Sequence, residues 1–230
     1  MRAGRQAALL VVAFAMSDAA LAFDAKEFWP EASVFVGLSR QTRLYFDGAY
    51  ASGAESDTQA LDLVACVDVS LLPVARPSLW RDDWARRRYF WARVGYTHVG
   101  KQEGEDLKPS ENRGVVSLFA KAVLPGAVWL EARARADLRW IGDEYSTRYR
   151  ARIEANRDFT LGHVPLTPYF NAEAMYDTRY DGWTRALYQA GSEVTVNKRF
   201  RFELFVALPV DRLPSKSTLG AAGVVAKWYF

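Results

Sequence analysis

Apolar and polar residues alternate with a period of two along most of this chain. From Leu61 to Leu71 every odd position is apolar, whereas the even positions include Asp62, Cys66, Asp68 and Ser70. This is the period of an extended strand, whose successive side chains point to opposite faces of a sheet. About eleven such segments follow Trp29-Pro30, with turn residues between them. The pattern predicts an all-β protein.

The polar face becomes strongly charged in the second half of the chain. Between Leu130 and Trp140, apolar residues at even positions oppose charged residues at odd ones. We expect the charged face to line the interior of a closed antiparallel transmembrane β-barrel of about 10–12 strands. Five segments contribute to this candidate lumen set, which comprises Arg133, Arg135, Asp137, Arg139, Arg148, Arg150, Arg152, Glu154, Glu173, Asp177, Arg185, Glu193, Arg201 and Glu203.

The period alone does not decide which face meets lipid, because a soluble lipocalin-like barrel alternates in the same way. Three features favour the membrane. Alanine is abundant on the apolar face, where a soluble core needs larger groups for close packing. The segments are longer than most soluble strands. Aromatic residues gather near segment ends, as in the girdles of outer-membrane barrels. A soluble periplasmic binding barrel is the alternative.

Both ends of the sequence favour export to the bacterial outer membrane. Arg2 and Arg5 precede a short apolar run, and Ala20-Leu21-Ala22 offers small residues to a signal peptidase. We expect residues 1–22 to be a cleaved signal peptide and residues 23–230 to form the barrel domain. The last segment alternates up to the aromatic residue Phe230, which suits a membrane interface. The expected partners are outer-membrane lipids and, through this last strand, the barrel-assembly machinery.

The strand number does not follow from the pattern. Single-chain bacterial barrels have an even number of strands, whereas this chain shows about eleven segments. With Phe230 in the periplasm, the first segment would run in the wrong direction. Either residues 23–30 contain part of a further crossing, or one short N-terminal segment is a plug or a loop. Ten and twelve strands are therefore both open.

Two connections are long. The one from Pro73 to Arg88 contains Trp80, Trp84 and three consecutive arginines, and we interpret it as an interfacial turn with aromatic anchors rather than a headgroup-binding site. The stretch from Gly100 to Asn112 is rich in charge and glycine. It is predicted to be an outward-facing loop, because such loops are the longer ones in outer-membrane barrels.

The candidate lumen set supports two hypotheses. In a small barrel the interior is filled with side chains and buried charges must pair, so a network of ion pairs is the first. The second is an anion-selective pore or a binding site for an anionic small molecule, such as an acidic saccharide or a phosphate. The expected pairing of the two most charged segments favours the network.

A turn at Gly142-Asp143-Glu144 sets the expected pairing of the two most charged segments. It would place Asp137 opposite Arg150 and Arg133 opposite Glu154, while the two remaining pairs would join arginine to arginine. Arginine is then in excess on these segments. We expect carboxylates from across the lumen to compensate it, the candidates being Glu173, Asp177, Glu193 and Glu203.

The composition and the two histidines limit the functions that this protein can have. The 30 basic and 27 acidic residues give a net charge of +3, which favours neither nucleic-acid nor polyanion binding. Cys66 is the single cysteine, and we expect a small wall residue there. Outer-membrane hydrolases and acyltransferases generally need a histidine. Only His98 and His163 exist, and we place His98 on the outer face and His163 in a turn.

The sequence therefore predicts a non-enzymatic protein without a cofactor, with a structural, small passage or binding role. No metal-ligand spacing, phosphate loop or nucleophile elbow occurs in it. The competing class is an outer-membrane lipid hydrolase or acyltransferase that uses His98 at the outer rim.

Several motifs in the second part of the chain occur together. They are Arg148-Tyr149-Arg150-Ala151-Arg152-Ile153-Glu154, Glu173 with Tyr176-Asp177-Thr178-Arg179, Arg185 with Tyr188-Gln189-Ala190-Gly191, and Leu219-Gly220 with Trp228-Tyr229. In these motifs the chain resembles a family of bacterial outer-membrane barrels labelled domain of unknown function 2490. The resemblance covers the chain from about Glu131 onwards. It implies a small outer-membrane barrel and supplies neither a reaction nor catalytic residues.

Overall fold

The computed structural model describes residues 27–53, 60–72, 84, 88–100, 110–212 and 220–230. The all-β prediction is confirmed, and the predicted signal peptide lies outside the described residues. A 3₁₀ turn occurs at Pro125–Ala127. The strands are β1 (Glu27–Gly37), β2 (Thr42–Gly53), β3 (Ala60–Leu72), β4 (Phe90–Val99), β5 (Glu111–Leu124), β6 (Val128–Ile141), β7 (Glu144–Arg157), β8 (Phe159–Leu161), β9 (Val164–Asp177), β10 (Gly182–Thr195), β11 (Phe200–Asp211) and β12 (Ala221–Tyr229).

These strands form one closed sheet. Strands that are neighbours in sequence pair in antiparallel fashion, except that β7 pairs with β9 instead of β8, and β12 pairs with β1 to close the barrel. β8 occupies no position of its own, because its three residues pair with the start of β9 and continue the edge of β7. The barrel therefore has eleven strand positions. Eleven falls within the predicted range of about 10–12 strands, but it is neither of the two even numbers, ten and twelve, that the sequence left open.

The closing pair is parallel, and this follows from the odd number. Strands in an antiparallel ring alternate in direction, so in a ring of eleven the first and last strands point the same way. Glu27 lies opposite Ala221, and Phe35 lies opposite Tyr229. The Phe230 amide donates to the Phe35 carbonyl at 2.8 Å. β1 thus begins before Trp29-Pro30, and its direction needs neither a hidden crossing nor a plug.

Short turns join many neighbouring strands. Gly142 has a φ of 59° and begins a two-residue loop with Asp143, as a type II′ hairpin requires. Gly162, with a φ of 62°, precedes His163 in a similar loop. The predicted turn at His163 is confirmed, and short turns also lie at Pro125–Ala127 and between β10 and β11.

The predicted pairing of β6 with β7 is wrong by two residues. Glu144 lies opposite Ile141 as part of β7, instead of belonging to the turn. In consequence Asp137 faces Arg148, and Arg133 faces Arg152. Because a strand has a period of two, the shift leaves every side chain on its predicted face but changes its neighbours.

The two faces of the barrel differ in chemistry. Large apolar side chains point outward, and Val94 and Ile153 are 55% and 60% exposed. The interior contains buried charges, among them the fully enclosed carboxylates of Asp68 and Asp177. All fourteen residues of the candidate lumen set lie on this inner face, as expected.

Part of the lumen is apolar. Phe205 packs with neighbouring residues of β11 and β12, and its ring centroid lies 6.4 Å from that of Trp29 on β1. Gly223 makes this packing possible, because a Cβ atom there would lie 2.1 Å from Cζ of the Phe205 ring. The ring is buried, so it cannot turn aside without losing its contacts.

Gly223→Ala is expected to destabilise the barrel by about 1–3 kcal/mol, because it overpacks this cluster. Thermal unfolding followed by circular dichroism measures the loss. Gly48→Ala is the control, since a Cβ atom there would meet only Leu63 at 3.8 Å. Adding Phe205→Leu should restore part of the stability lost with Gly223→Ala. Equal losses in the two glycine variants would rule out the proposed clash.

Candidate functional site: a charged chamber inside the barrel

A cavity of about 450 Å³ lies inside the barrel, and we call it the chamber. All eleven strand positions contribute residues to its wall. Ten basic and eight acidic side chains line it, so charge dominates its chemistry. A cavity of this size is in the range that holds small ligands.

Four arginines of β6 and β7 form one side of the chamber, which we call the arginine wall: Arg133, Arg135, Arg150 and Arg152. The register places Arg133 opposite Arg152 and Arg135 opposite Arg150, so like charges are neighbours. Glu173 on β9 contacts both Arg133 and Arg150. Asp137 accepts a hydrogen bond from Nε of Arg135. These two carboxylates offset part of the repulsion between the guanidinium groups.

The arginine wall keeps unused hydrogen-bond donors. The Arg152 guanidinium reaches its nearest carboxylates, those of Glu131 and Glu154, only at 3.6 and 3.7 Å. Both distances exceed that of a hydrogen bond. Nε of Arg133 is buried and has no hydrogen-bond partner among the described residues. The wall can therefore accept a further anionic group.

A second network lies at the end of the barrel opposite Phe230. Arg139 contacts both Glu111 and Asp177. Arg148 also binds Asp177, at 3.0 Å, and Arg113 donates to Glu111 at 2.6 Å. Glu111 falls in the stretch that was predicted to be a loop, whereas it is the first residue of β5. The start of β5 is not visible in the sequence because the residues around it are rich in charge and glycine. Most of that predicted loop lies outside the described residues.

Two expected carboxylates do not reach the arginines of β6 and β7. Glu193 lies 3.4 Å from Arg201 and 3.1 Å from Lys227, and Glu203 contacts Lys227 as well. Glu193 lies on β10 and Glu203 on β11. Arg201 on β11 and Lys227 on β12 are closer to these carboxylates than the arginines of β6 and β7 are. Glu173 and Asp177 do compensate the arginines, but from the adjacent strand β9 rather than from across the lumen.

Arg185 forms a separate pair on the inner face. It donates to both oxygens of Asp211, at 2.6 and 2.8 Å. It is not part of the chamber wall.

An acidic pair lies on β1 and β2. The Ser33 hydroxyl is 2.6 Å from a carboxylate oxygen of Asp47 and 3.3 Å from one of Glu31. A hydroxyl has one proton, so it satisfies one carboxylate at a time. Within the described ranges no basic side chain forms an ion pair with Glu31 or Asp47.

Stacked rings narrow the lumen towards the Phe230 end. We call them the aromatic layer: Phe35, Tyr45, Trp91, Phe119 and Tyr229. Guanidinium groups cover several rings, and that of Arg93 lies 3.7 Å from the Tyr45 centroid. Asp68 holds two of these cations, since it accepts from Nε of Arg43 at 2.7 Å and from Nε of Arg93 at 2.6 Å. None of these residues belongs to the candidate lumen set that the sequence predicted.

Trp84 belongs with this layer, which corrects its interpretation as an interfacial anchor, whereas Trp80 and most of the Pro73 to Arg88 connection lie outside the described residues. Its ring makes an edge contact with Trp91 at 6.4 Å, and the Arg43 guanidinium lies 4.7 Å from its centroid. Both partners are buried inside the barrel. Trp84 therefore points into the lumen instead of anchoring a turn at a lipid interface.

Comparison of the chain with family models, with curated proteins and with solved structures gives no match. The resemblance to the family labelled domain of unknown function 2490 stays a prediction.

His98 lies on the outer face, as predicted. Its Nδ1 atom is 2.8 Å from Oδ1 of Asn112, and the Tyr96 hydroxyl contacts the same oxygen. Cys66 is buried in the chamber wall, as expected. In the part of the chain that the structure describes, no group of three or more histidine, cysteine or acidic residues is placed to hold a metal ion. None of the helices there is long and apolar enough to span a membrane.

Proposed function

We propose that this protein is an outer-membrane β-barrel that holds or passes small polar solutes and catalyses no reaction. The proposal rests on the difference between the apolar outer face of the barrel and its charged inner face. Outward apolar side chains such as Leu63, Val94 and Ile153 form a surface that hydrocarbon solvates better than water. The inward charges would leave a soluble barrel without an ordinary apolar core. This arrangement supports a lipid-facing exterior.

The contents of the lumen support a chamber rather than a wide pore. Ion pairs connect the arginine wall to carboxylates on β6 and β9, and the aromatic layer occupies the Phe230 end. A wide pore would instead leave a continuous water-filled passage between opposite walls. We propose outer-membrane lipids as partners of the outer face, and the assembly machinery as a transient partner of β12 before it pairs with β1.

Cell fractionation tests the location. We expect the full chain, expressed with its N-terminus intact, to sediment with the outer membrane and to need detergent for extraction. Its intact mass should correspond to the loss of residues 1–22. Recovery of the folded protein from an aqueous periplasmic extract would refute the proposal and favour the soluble binding barrel.

A lipid-hydrolysis assay tests the absence of catalysis. Purified protein should release no fatty acid from phospholipid micelles. Activity that disappears in the His98→Ala variant would identify the competing enzyme class, because His98 contacts Asn112 on the outer face.

A further inference from the structure

The chamber has two walls of opposite character, and they face each other. In the ring of eleven strands, β6 is five positions from β1 in one direction and β7 is five positions from β1 in the other. The arginine wall on β6 and β7 therefore lies diametrically across the barrel from Glu31 on β1. Asp47 belongs to β2, the next strand. The chamber thus has a cluster of arginines on one side and a pair of adjacent carboxyl groups on the other.

Each wall keeps binding capacity that the protein leaves unused. On the basic side, Arg152 has no close hydrogen bond, and Nε of Arg133 has no partner among the described residues. On the acidic side, Glu31 and Asp47 share the Ser33 hydroxyl and hydrogen-bond to each other, which requires a proton on one of them, and the pair forms no ion pair within those residues. The nearest opposite charges thus do not fully satisfy either Arg152 or the pair of Glu31 and Asp47. A bound molecule with both signs of charge would.

A buried amide adds an independent indication of a ligand. Asn171 on β9 is 2% exposed and lines the chamber. Its amide donates to Gln189, but its Oδ1 atom has no partner in the described part of the chain. Asn171 lies directly opposite Glu154, two residues from Arg152 along β7. Buried polar atoms of this kind normally have a partner, and a ligand with hydrogen-bond donors would supply one.

We propose that the chamber binds a small zwitterion of the amino-acid type, whose carboxylate contacts Arg152 and Arg133 and whose ammonium group contacts Glu31 and Asp47. This inference rests on the proposed solute-binding role of the lumen. A planar carboxylate matches the fork of a guanidinium group, and an ammonium group suits two adjacent carboxylates. A simple anion would satisfy the basic wall and leave the acidic pair unchanged.

Isothermal titration of the detergent-purified full chain tests the proposal with three probes of similar size. They are 4-aminobutyrate, which has both charges, butyrate, which has only the carboxylate, and butylammonium, which has only the ammonium. We expect 4-aminobutyrate to bind at least about tenfold more tightly than either single-charge probe, because only it engages both walls. If butyrate binds as tightly as 4-aminobutyrate, or if no probe binds, the proposal is overturned.

Single substitutions test which wall binds the carboxylate and which binds the ammonium group. Arg152→Gln should weaken 4-aminobutyrate and butyrate by about tenfold and leave butylammonium unchanged. Asp47→Asn should weaken 4-aminobutyrate and butylammonium and leave butyrate unchanged. Arg185→Gln is the control, because that arginine already pairs with Asp211 outside the chamber. Arg133→Gln replaces Arg152→Gln if the latter does not fold. Equal effects of Arg185→Gln and Arg152→Gln would contradict a local site.

The two proposals fail in different ways. A protein found in the outer membrane that binds none of the probes would overturn the zwitterion site alone. A protein recovered from aqueous extract that binds 4-aminobutyrate with the expected pattern would overturn the outer-membrane location and retain the site.

Discussion

Replacing Asp68 with alanine should cost the barrel about 3–5 kcal/mol of unfolding free energy, the largest effect of any single substitution considered for the lumen. The Asp68 side chain is fully buried, and it accepts hydrogen bonds from Arg43 at 2.7 Å and from Arg93 at 2.6 Å. Its removal leaves two guanidinium groups enclosed without their counter-charge. The aromatic layer then loses the anion that holds its two covering arginines in position.

Urea unfolding in lipid vesicles, followed by tryptophan fluorescence, measures this loss. Glu144→Ala is the matched control, because Glu144 pairs with Arg179 at 2.7 Å on the surface, where the side chains are 68% and 41% exposed. An exposed pair of this kind contributes only about 0–1 kcal/mol. Similar losses in the two variants would mean that Asp68 does not hold the buried network together.

Replacing Val94 with arginine should cost about 2–4 kcal/mol if hydrocarbon surrounds the barrel. Val94 is the fifth of ten residues in β4, and it points outward with 55% of its surface exposed. In water an arginine at an exposed strand position changes stability little, within about 0.5 kcal/mol. The substitution therefore distinguishes a membrane barrel from a soluble one by a property of the folded state, independently of cell fractionation.

Refolding into phosphatidylcholine vesicles, with urea titration of the folded fraction, measures the effect. Leu161→Arg is the control, because Leu161 is similarly exposed but lies at the turn between β8 and β9. Near the membrane interface such a change costs only about 0–1 kcal/mol. A neutral Val94→Arg variant would remove the main support for the outer-membrane proposal.

The period of the sequence predicted the strands and their faces well. Leu130 to Trp140 alternates so regularly that the inward direction of Arg133 and Arg135 followed from parity alone. Parity is a local property of an extended chain, so no information about other strands was needed. For the same reason the outward position of His98 was predicted correctly.

Which residues face each other on neighbouring strands could not be predicted from parity. The type II′ turn at Gly142-Asp143 uses two residues instead of three, and this changed the residue opposite Arg133 from Glu154 to Arg152. Nothing in the alternation distinguishes the two registers, because they differ by one full period. Trp84 was missed for a similar reason, since its contact with Trp91 depends on where a long connection returns to the barrel.

By itself the sequence determined that the chain is all-β and which side chains share each face, because strand periodicity is encoded residue by residue. Only the tertiary structure decided that eleven strand positions close through a parallel pair of β1 and β12. It also decided that Glu31 lies across the lumen from Arg152. Both facts depend on how far the sheet curls before its edges meet, and that is a property of the whole ring rather than of any segment.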